Sequence, residues 1–348
     1  MSGAMYRLAI VGAGSLKGRE LKDVLEERSF PALEIKLLDD DELLGQLDAV
    51  GEEPTFIQSV QPEQFENVDF AFFASDETFT RKHWTVARNA GCSVVDLSYA
   101  LENEAAVPVR SPCVEQELLH GAKPSLEDLE ATSAVAAHPA AVVLALLLLR
   151  AHQAGKVRST VVTAFEPASE HGKRGLDELH EQTINLLSFH DLPRAVFDSQ
   201  VAFNLISRYG ASSQPALREV EDRIRRHFQL ITGGSVPGPS LVLAQAPIFH
   251  AHIFSIYIEL EKPVGEAEFA EALSGRHVTI SPADAGEEAP SNVSAAGQEN
   301  VLVSVRREAQ HPSGIWLWAA ADNLRIAALN AVDCASALAL VRAGGTIQ

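Results

Sequence analysis

The apolar positions of the first hundred residues follow two alternating rhythms. A short apolar strand, Arg7–Val11, runs into a glycine turn, and helical spacing follows from Arg19 to about Arg28, broken at Pro31. Leu33–Leu38 predicts a second strand, ending in Asp39-Asp40-Asp41-Glu42, and Val68–Ala74 a third that is almost continuously apolar. Helical spacing over Phe79–Ala90 stops at Gly91, and Cys92–Leu97 predicts a fourth strand. Strands alternating with helices predict a parallel βαβ arrangement.

After about residue 130 the rhythm changes. His138-Pro139 leads into an apolar helix, Ala140–Ala151, with the proline in the first turn, where its missing N–H costs nothing. Arg158–Glu166 predicts a strand, Pro167–Gly175 a polar loop and Leu176–Leu187 a helix. Leu217, Val220, Ile224 and Phe228 give Leu217–Leu230 an amphipathic helical face. Arg223, Arg225 and Arg226 read as its solvated side. Leu241–Ala246, Ala251–Leu260, Val301–Arg306 and Ile315–Ala320 predict clustered strands, hence a mixed or antiparallel sheet. Trp316 and Trp318 read as buried sheet residues, Asp96 and Ser98 as a turn cap at a sheet edge, and Ser281–Asn300 as an exposed loop.

Composition narrows the function classes. The chain has 348 residues, enough for two domains, and a net charge of −19 that disfavours nucleic acid and anionic membranes as partners. That field also repels phosphorylated or dicarboxylic substrates unless arginines are placed against it. Cys92, Cys113 and Cys334 form no CxxC pair, which suits a reducing cytoplasm. The longest apolar run, Ala140–Leu149, is too short to span a bilayer.

The glycine turn reads GAGSLKG, with Gly12, Gly14 and Gly18 after a strand and before a helix. The first glycine permits the tight turn, the second lets a pyrophosphate approach the backbone, and the third brings helix and strand together. The last gap is one residue longer than in GxGxxG, so the context carries the assignment to a Rossmann-type dinucleotide-binding domain. Asp39 lies 21 residues past Gly18, where such units bind the adenosine ribose hydroxyls. An acidic run without Lys or Arg disfavours a 2′-phosphate, so NAD is expected over NADP; the same run also reads as a solvated turn.

An ordered set of motifs then resembles the aspartate-semialdehyde dehydrogenase family, related to the N-acetyl-glutamyl-phosphate reductases. The set is GAGSLKG (12–18), CSVVDLSYAL (92–101), HPAAVVLALLL (138–148), GLDELHEQ (175–182), VAFNLI (201–206), QAPIFHAH (245–252) and ADNLRIAALNAV (321–332). The resemblance implies an α/β protein with an N-terminal Rossmann domain over 1–133, completed by a C-terminal helix at 322–345. It implies an α+β catalytic and dimerisation domain with a mixed sheet over 134–321, and a homodimer. Cofactor-binding positions would be Gly12, Gly14, Ser15, Leu16, Gly18, Asp39, Ser98 and Asn330. Gly14-Ser15 stands where the family usually has Thr-Gly, and Asp322 to Asn330 is one residue short of the usual spacing.

The family reaction interconverts an acyl phosphate and an aldehyde through a cysteine thioester, with a histidine moving the proton and arginines holding carboxylate and phosphate. Carried across, the acid/base position is His252, but the nucleophile position is Ala141. The carboxylate-binding arginine becomes Gln245, the phosphate-binding arginine Glu102, and the glutamine that orients the thioester Glu166. The family's Ser-Gly-Ala-Gly loop reads Ser169-Glu170-His171-Gly172. The family reaction is therefore expected to be absent or negligible. Two readings follow: a non-catalytic regulatory or scaffold dimer, or a repurposed pocket. In the latter, His138, His171 and His252 with Glu166 would converge and could hold Zn²⁺; His250 and His252 would share a strand face.

Overall fold

The computed structural model describes residues 5–40, 44–45, 47–50, 53–119, 132–213, 215–282, 286 and 289–342. Asp41 and Glu42, parts of Ser281–Asn300 and the end of the expected 322–345 helix lie outside the described residues. The chain divides into two compact units, Met1–Ala137 with Ala327–Gln348, and His138–Ile326.

The first unit begins with β1 (Tyr6–Val11), α1 (Leu16–Glu27) and β2 (Ala32–Asp39). Next come β3 (Leu47–Val50) and β4 (Glu53–Phe56), paired antiparallel, then β5 (Gln58–Ser59), β6 (Phe70–Phe73) and α2 (Glu77–Asn89). β7 (Ser93–Asp96), β8 (Val109–Arg110), α3 (Pro112–Leu118) and β9 (Ala134–Ala136) complete its first segment. Seven strands form a parallel sheet in the order β5-β2-β1-β6-β7-β9-β8. Both faces are covered. Leu8, Ile10, Phe70 and Phe72 pack on Leu21, Val24 and Leu25 of α1 and on Ala328–Leu338 of the C-terminal segment. Ala9, Val11, Ala71 and Phe73 pack on Trp84 and Ala87 of α2. Burial on two sides explains why these strands are continuously apolar. Strand order reverses at β1, between β2 and β6, and the glycine turn leaves β1 at that switch point. A Cβ on Gly18 would stand 2.2 Å from the carbonyl oxygen of Gly12, so only glycine lets α1 start this close to the turn. β7 lies inside the sheet rather than at an edge, although Asp96 does cap the turn that follows it.

The second unit contains α4 (Pro139–Gly155), β10 (Val157–Glu166), α5 (Gly172–Leu187), α6 (Leu217–Thr232), β11 (Ser240–Gln245) and β12 (His252–Leu260). It continues with α7 (Glu266–Leu273), β13 (Val278–Ile280), β14 (Val301–Arg307) and β15 (Gly314–Ala321), and α8 (Asn323–Arg342) starts in it. The mixed sheet runs β11-β10-β12-β15-β14-β13. One face, with Ala164, Phe254, Ile256, Leu317 and Ala319, is buried. The other presents Val161, Val242 and Trp318, each more than two-fifths exposed, with Phe165, Tyr257 and Trp316 half-buried.

Local pattern misled in four places. Trp316 and Trp318 alternate with buried Ile315, Leu317 and Ala319 and so occupy the outer face; their indole N–H groups donate to Glu308 and to the Pro290 carbonyl. Pro167–Gly175 is no loop: a turn of 3₁₀ helix, Ala168–His171, leads directly into α5. Gly175, the last residue of that expected loop, lies inside α5, where a Cβ would crowd the Ala168 carbonyl oxygen. Ala295, in the segment expected to be exposed, is fully buried against Ile253 and Ala320. Arg225 is only partly solvated, because it pairs with Glu221 and Asp222 and donates to the Leu241 carbonyl.

Candidate functional site

α4 is buried along its whole length from Pro139 to Ala151, as befits a helix apolar on every side. Its N-cap is His138, whose ring Nδ1 accepts the Ala140 N–H at 3.2 Å while its backbone N–H donates to Nδ1 of His227 at 3.0 Å. Ring nitrogens thus do the capping usually left to Ser, Thr or Asp. Ala141 sits in the first turn, wholly buried. The residue expected at the nucleophile position thus presents a methyl group in the first turn of the helix.

His252 opens β12, and Glu170 comes from the 3₁₀ turn before α5. The Glu170 carboxylate lies between two imidazoles, 3.9 Å from His252 Nε2 and 4.0 Å from His138 Nε2. The two rings are 5.9 Å apart. Asn323, at the start of α8, holds the carboxylate by donating from Nδ2 to Oε1 at 2.9 Å. Its own Oδ1 accepts from Ser169 Oγ and from the N–H of Ala251. Ala251 has φ of +69°, a backbone that L residues rarely adopt. That kink ends the strand alternation, so His250 lies outside β12 and is not paired with His252 on a strand face.

A second polar array adjoins the first through the Ser169–His171 turn. Glu166 ends β10 almost fully buried, with His171 Nε2 3.8 Å from its carboxylate. His171 Nε2 also meets the Tyr209 hydroxyl at 2.8 Å, and that hydroxyl donates to Gln245 Oε1 at 2.7 Å. With the tyrosine proton committed to Gln245, His171 acts as the donor to Tyr209. Gln245 Nε2 donates to the carbonyls of Glu166 and Ala246, both at 2.9 Å. Its amide donors are therefore engaged by the backbone. Burial drives the His171 imidazole down to about 4 and the Tyr209 phenol up. Both are neutral at physiological pH.

α5 braces this array. Glu178 accepts the N–H groups of Val196 and Phe197, and Gln182, one turn on, accepts those of Val201 and Ala202. Phe197 and Tyr209 pack edge-on against His171 at 4.9 and 5.1 Å. The GLDELHEQ and VAFNLI motifs are thus two halves of one staple.

Of the expected residues, His138, His252, Glu166, His171, Gln245 and Ala141 all belong to this unit. Glu102 belongs to the other unit, half-buried in the turn after Tyr99. The histidines divide between two carboxylates, His138 and His252 on Glu170 and His171 on Glu166. Among the described residues no three His, Cys, Asp or Glu side chains are arranged to hold a metal ion. Glu170, Asn323, Tyr209 and His227 were not singled out in the sequence as site residues. Only Glu170 carried a signal, an acid in place of the family's glycine.

In the first unit, Gly14, Ser15, Leu16 and Lys17 form the partly exposed rim of the glycine turn. Asp39 ends β2, and its carboxylate accepts the N–H groups of Gly14 at 2.7 Å and Asp40 at 2.9 Å; burial raises its pKa against those bonds. Ser15 caps α1 by accepting the Gly18 N–H. Lys17 Nζ donates to the Leu97 carbonyl and lies 4.5 Å over the Tyr99 ring. Ser98 is engaged within its turn, donating to Asp96 and accepting from Ala100. Asn330 on α8 is buried; its Nδ2 donates to the Arg110 carbonyl, and its Oδ1 has no hydrogen-bond partner among the described residues.

His171 makes stability depend on pH. Between the ordinary imidazole value of 6.5 and about 4, the unfolded chain takes up a proton here that the folded chain refuses. Stability is lost as pH falls through that window, by about 3 kcal/mol at most from this group. Urea melts at pH 7 and pH 4 are expected to show a smaller acid loss in His171→Gln than in the wild type; equal losses would contradict the buried neutral imidazole.

Comparison with known proteins agrees with this architecture. The semialdehyde dehydrogenase NAD binding domain matches residues 7–122, and the semialdehyde dehydrogenase dimerisation domain matches residues 148–326. A USG-1 protein homolog of Pseudomonas aeruginosa is 34% identical over 327 residues, covering 93% of this chain and 95% of that protein. An aspartate-semialdehyde dehydrogenase of Rickettsia bellii is 30% identical over 340 residues, covering 96% and 97%. The structure of a probable aspartate-semialdehyde dehydrogenase from Pseudomonas aeruginosa superposes with a TM-score of 0.84 at 30% identity, covering 99% of this chain and all of that one. A Candida albicans aspartate semialdehyde dehydrogenase with NADP shares the fold, with a TM-score of 0.64 at 14% identity over 98% of this chain and 99% of that one. With an NAD(P)-binding domain, a dimerisation domain and full-length relatives, this chain belongs to the semialdehyde dehydrogenase family.

Proposed function

We propose that this chain is a dinucleotide-binding homodimer of its family that does not run the cysteine-dependent phosphorylating reaction. The observation that carries the reading is Ala141, buried at the start of α4. A thioester requires a thiolate, and a methyl group has no electron pair to attack a carbonyl carbon. No cysteine offers a substitute. Cys92 and Cys334 are packed in the cores of the first unit, and burial pushes the Cys113 thiol up to about 11. At neutral pH that leaves a thiolate fraction of about one in ten thousand. The spent donors of Gln245 and the carboxylate of Glu102 remove the substrate clamps as well. Incubation with aspartate semialdehyde, phosphate and NAD or NADP is expected to give no turnover above the rate without protein. Ala141→Cys is expected still to fail to turn over, because both clamps remain absent. Appreciable wild-type turnover overturns the reading.

The first unit's residues fit a nicotinamide dinucleotide. The rim Gly14–Lys17 lies at the switch point, Asp39 faces it, and the unpaired Asn330 Oδ1 offers an acceptor for an amide N–H. The group, when bound, would supply or accept a hydride. Asp39 would hold ribose hydroxyls and repel a 2′-phosphate, which favours NAD. Calorimetry is expected to give NAD at least tenfold tighter than NADP, about 1.4 kcal/mol. Asp39→Ala is expected to erase that preference. Equal affinities in the wild type would refute the assignment.

The second copy would cover the outer face of the mixed sheet, where Val161, Val242 and Trp318 expose apolar surface within the residues that match the dimerisation domain. Trp318→Glu is expected to shift sedimentation from dimer toward monomer. A monomeric wild type, or a Trp318→Glu dimer of unchanged affinity, would exclude this face.

A further inference from the structure

The Glu170 carboxylate occupies a place of unusual chemistry. It lies between the Nε2 atoms of two buried imidazoles and is held there by an amide that itself makes two further hydrogen bonds. We propose that Glu170 is a specificity-determining residue: a built-in carboxylate that fills the anion position between His138 and His252 and turns acidic ligands away. The proposal rests on the reading that this chain has left the family's acyl-phosphate chemistry, and it accounts for a change of substrate class toward uncharged ligands.

The argument is one of charge. A pair of imidazoles 5.9 Å apart would attract an anion whenever either ring carries a proton. His227 stands behind His138, with its Nδ1 already accepting the His138 N–H. Toward β10 and α5 the neighbours are Glu166, the neutral His171 and the neutral Tyr209, and Glu170 itself acts electrostatically on both His171 and Tyr209. Glu170 meets both imidazoles, each within 4.0 Å of its carboxylate. An incoming carboxylate or phosphate would have to displace a tethered carboxylate that carries no translational entropy cost of binding, and would face Glu166 beyond it. The family's loop at this position holds a glycine, which has no side chain to occupy the place.

The test reads the imidazoles directly, without turnover or dinucleotide, so it can fail independently of the proposed function. In proton–nitrogen imidazole spectra, Glu170→Gln keeps the side-chain volume and an acceptor for Asn323 but removes the charge. His138 and His252 are expected to lose at least about tenfold in proton affinity relative to wild type, as when a carboxylate within 4–6 Å is removed. Identical titrations of both rings in the two proteins would overturn the proposal. Acetate provides the second arm. Glu170→Ala is expected to bind millimolar acetate, with the His138 and His252 signals moving toward their wild-type values, while wild-type signals stay unmoved. Acetate binding to the wild-type pair, or none to Glu170→Ala, would each refute it.

Discussion

A helix that is apolar on every side has to be covered on every side, and α4 imposes that requirement on the whole second unit. It packs against α6, α7 and the mixed sheet through β10 and β12. Even Arg150 is drawn inside, where its guanidinium donates to the carbonyls of Leu273 and Arg276 beyond the end of α7. A buried helix end cannot leave its N–H groups to water. The N-terminus of α4 therefore needs protein partners, and His138, His227 and the cluster around them follow from that need.

The same constraint explains why the polar network is so closed. An unpaired polar group away from solvent costs more than a hydrogen bond contributes, so each buried member recruits the next. Gln245 is satisfied by Tyr209 and two carbonyls, Tyr209 by His171, and Glu170 by Asn323 with two imidazoles close by. Where the family reaction calls for a thiol and positively charged clamps, this chain has a methyl group, a committed amide and carboxylates. The replacements are mutually consistent in charge.

The two units differ in how they treat their inherited parts. The glycine turn, the acid after β2 and the buried asparagine of α8 keep a layout suited to a dinucleotide. In the second unit, His171, Tyr209 and Gln245 are hydrogen-bonded to one another instead.

Periodicity made most elements of both units legible in the sequence, because burial on one or both faces leaves its mark residue by residue. Val68–Ala74 reads as a strand covered on both sides, and Ala140–Ala151 as a helix covered all round. Ordered motifs marked His252, Glu166, Gln245 and Ala141. Other features depended on tertiary contact. The outward direction of Trp316 and Trp318 was set by which sheet face the helices cover, and alternation alone is symmetric between faces. Gly175 reads as the end of a polar loop until the carbonyl of Ala168 is seen against it inside α5. The partnership of Glu170 with His138, His252 and Asn323 joins residues from four distant segments, and no local pattern encodes which acid a histidine will meet. Sequence alone thus determined the elements, the family resemblance and the alanine at position 141, since each is written in single residues or short periods. Only the folded chain decided what stands in the anion's place, because that depends on where burial brings distant charges together.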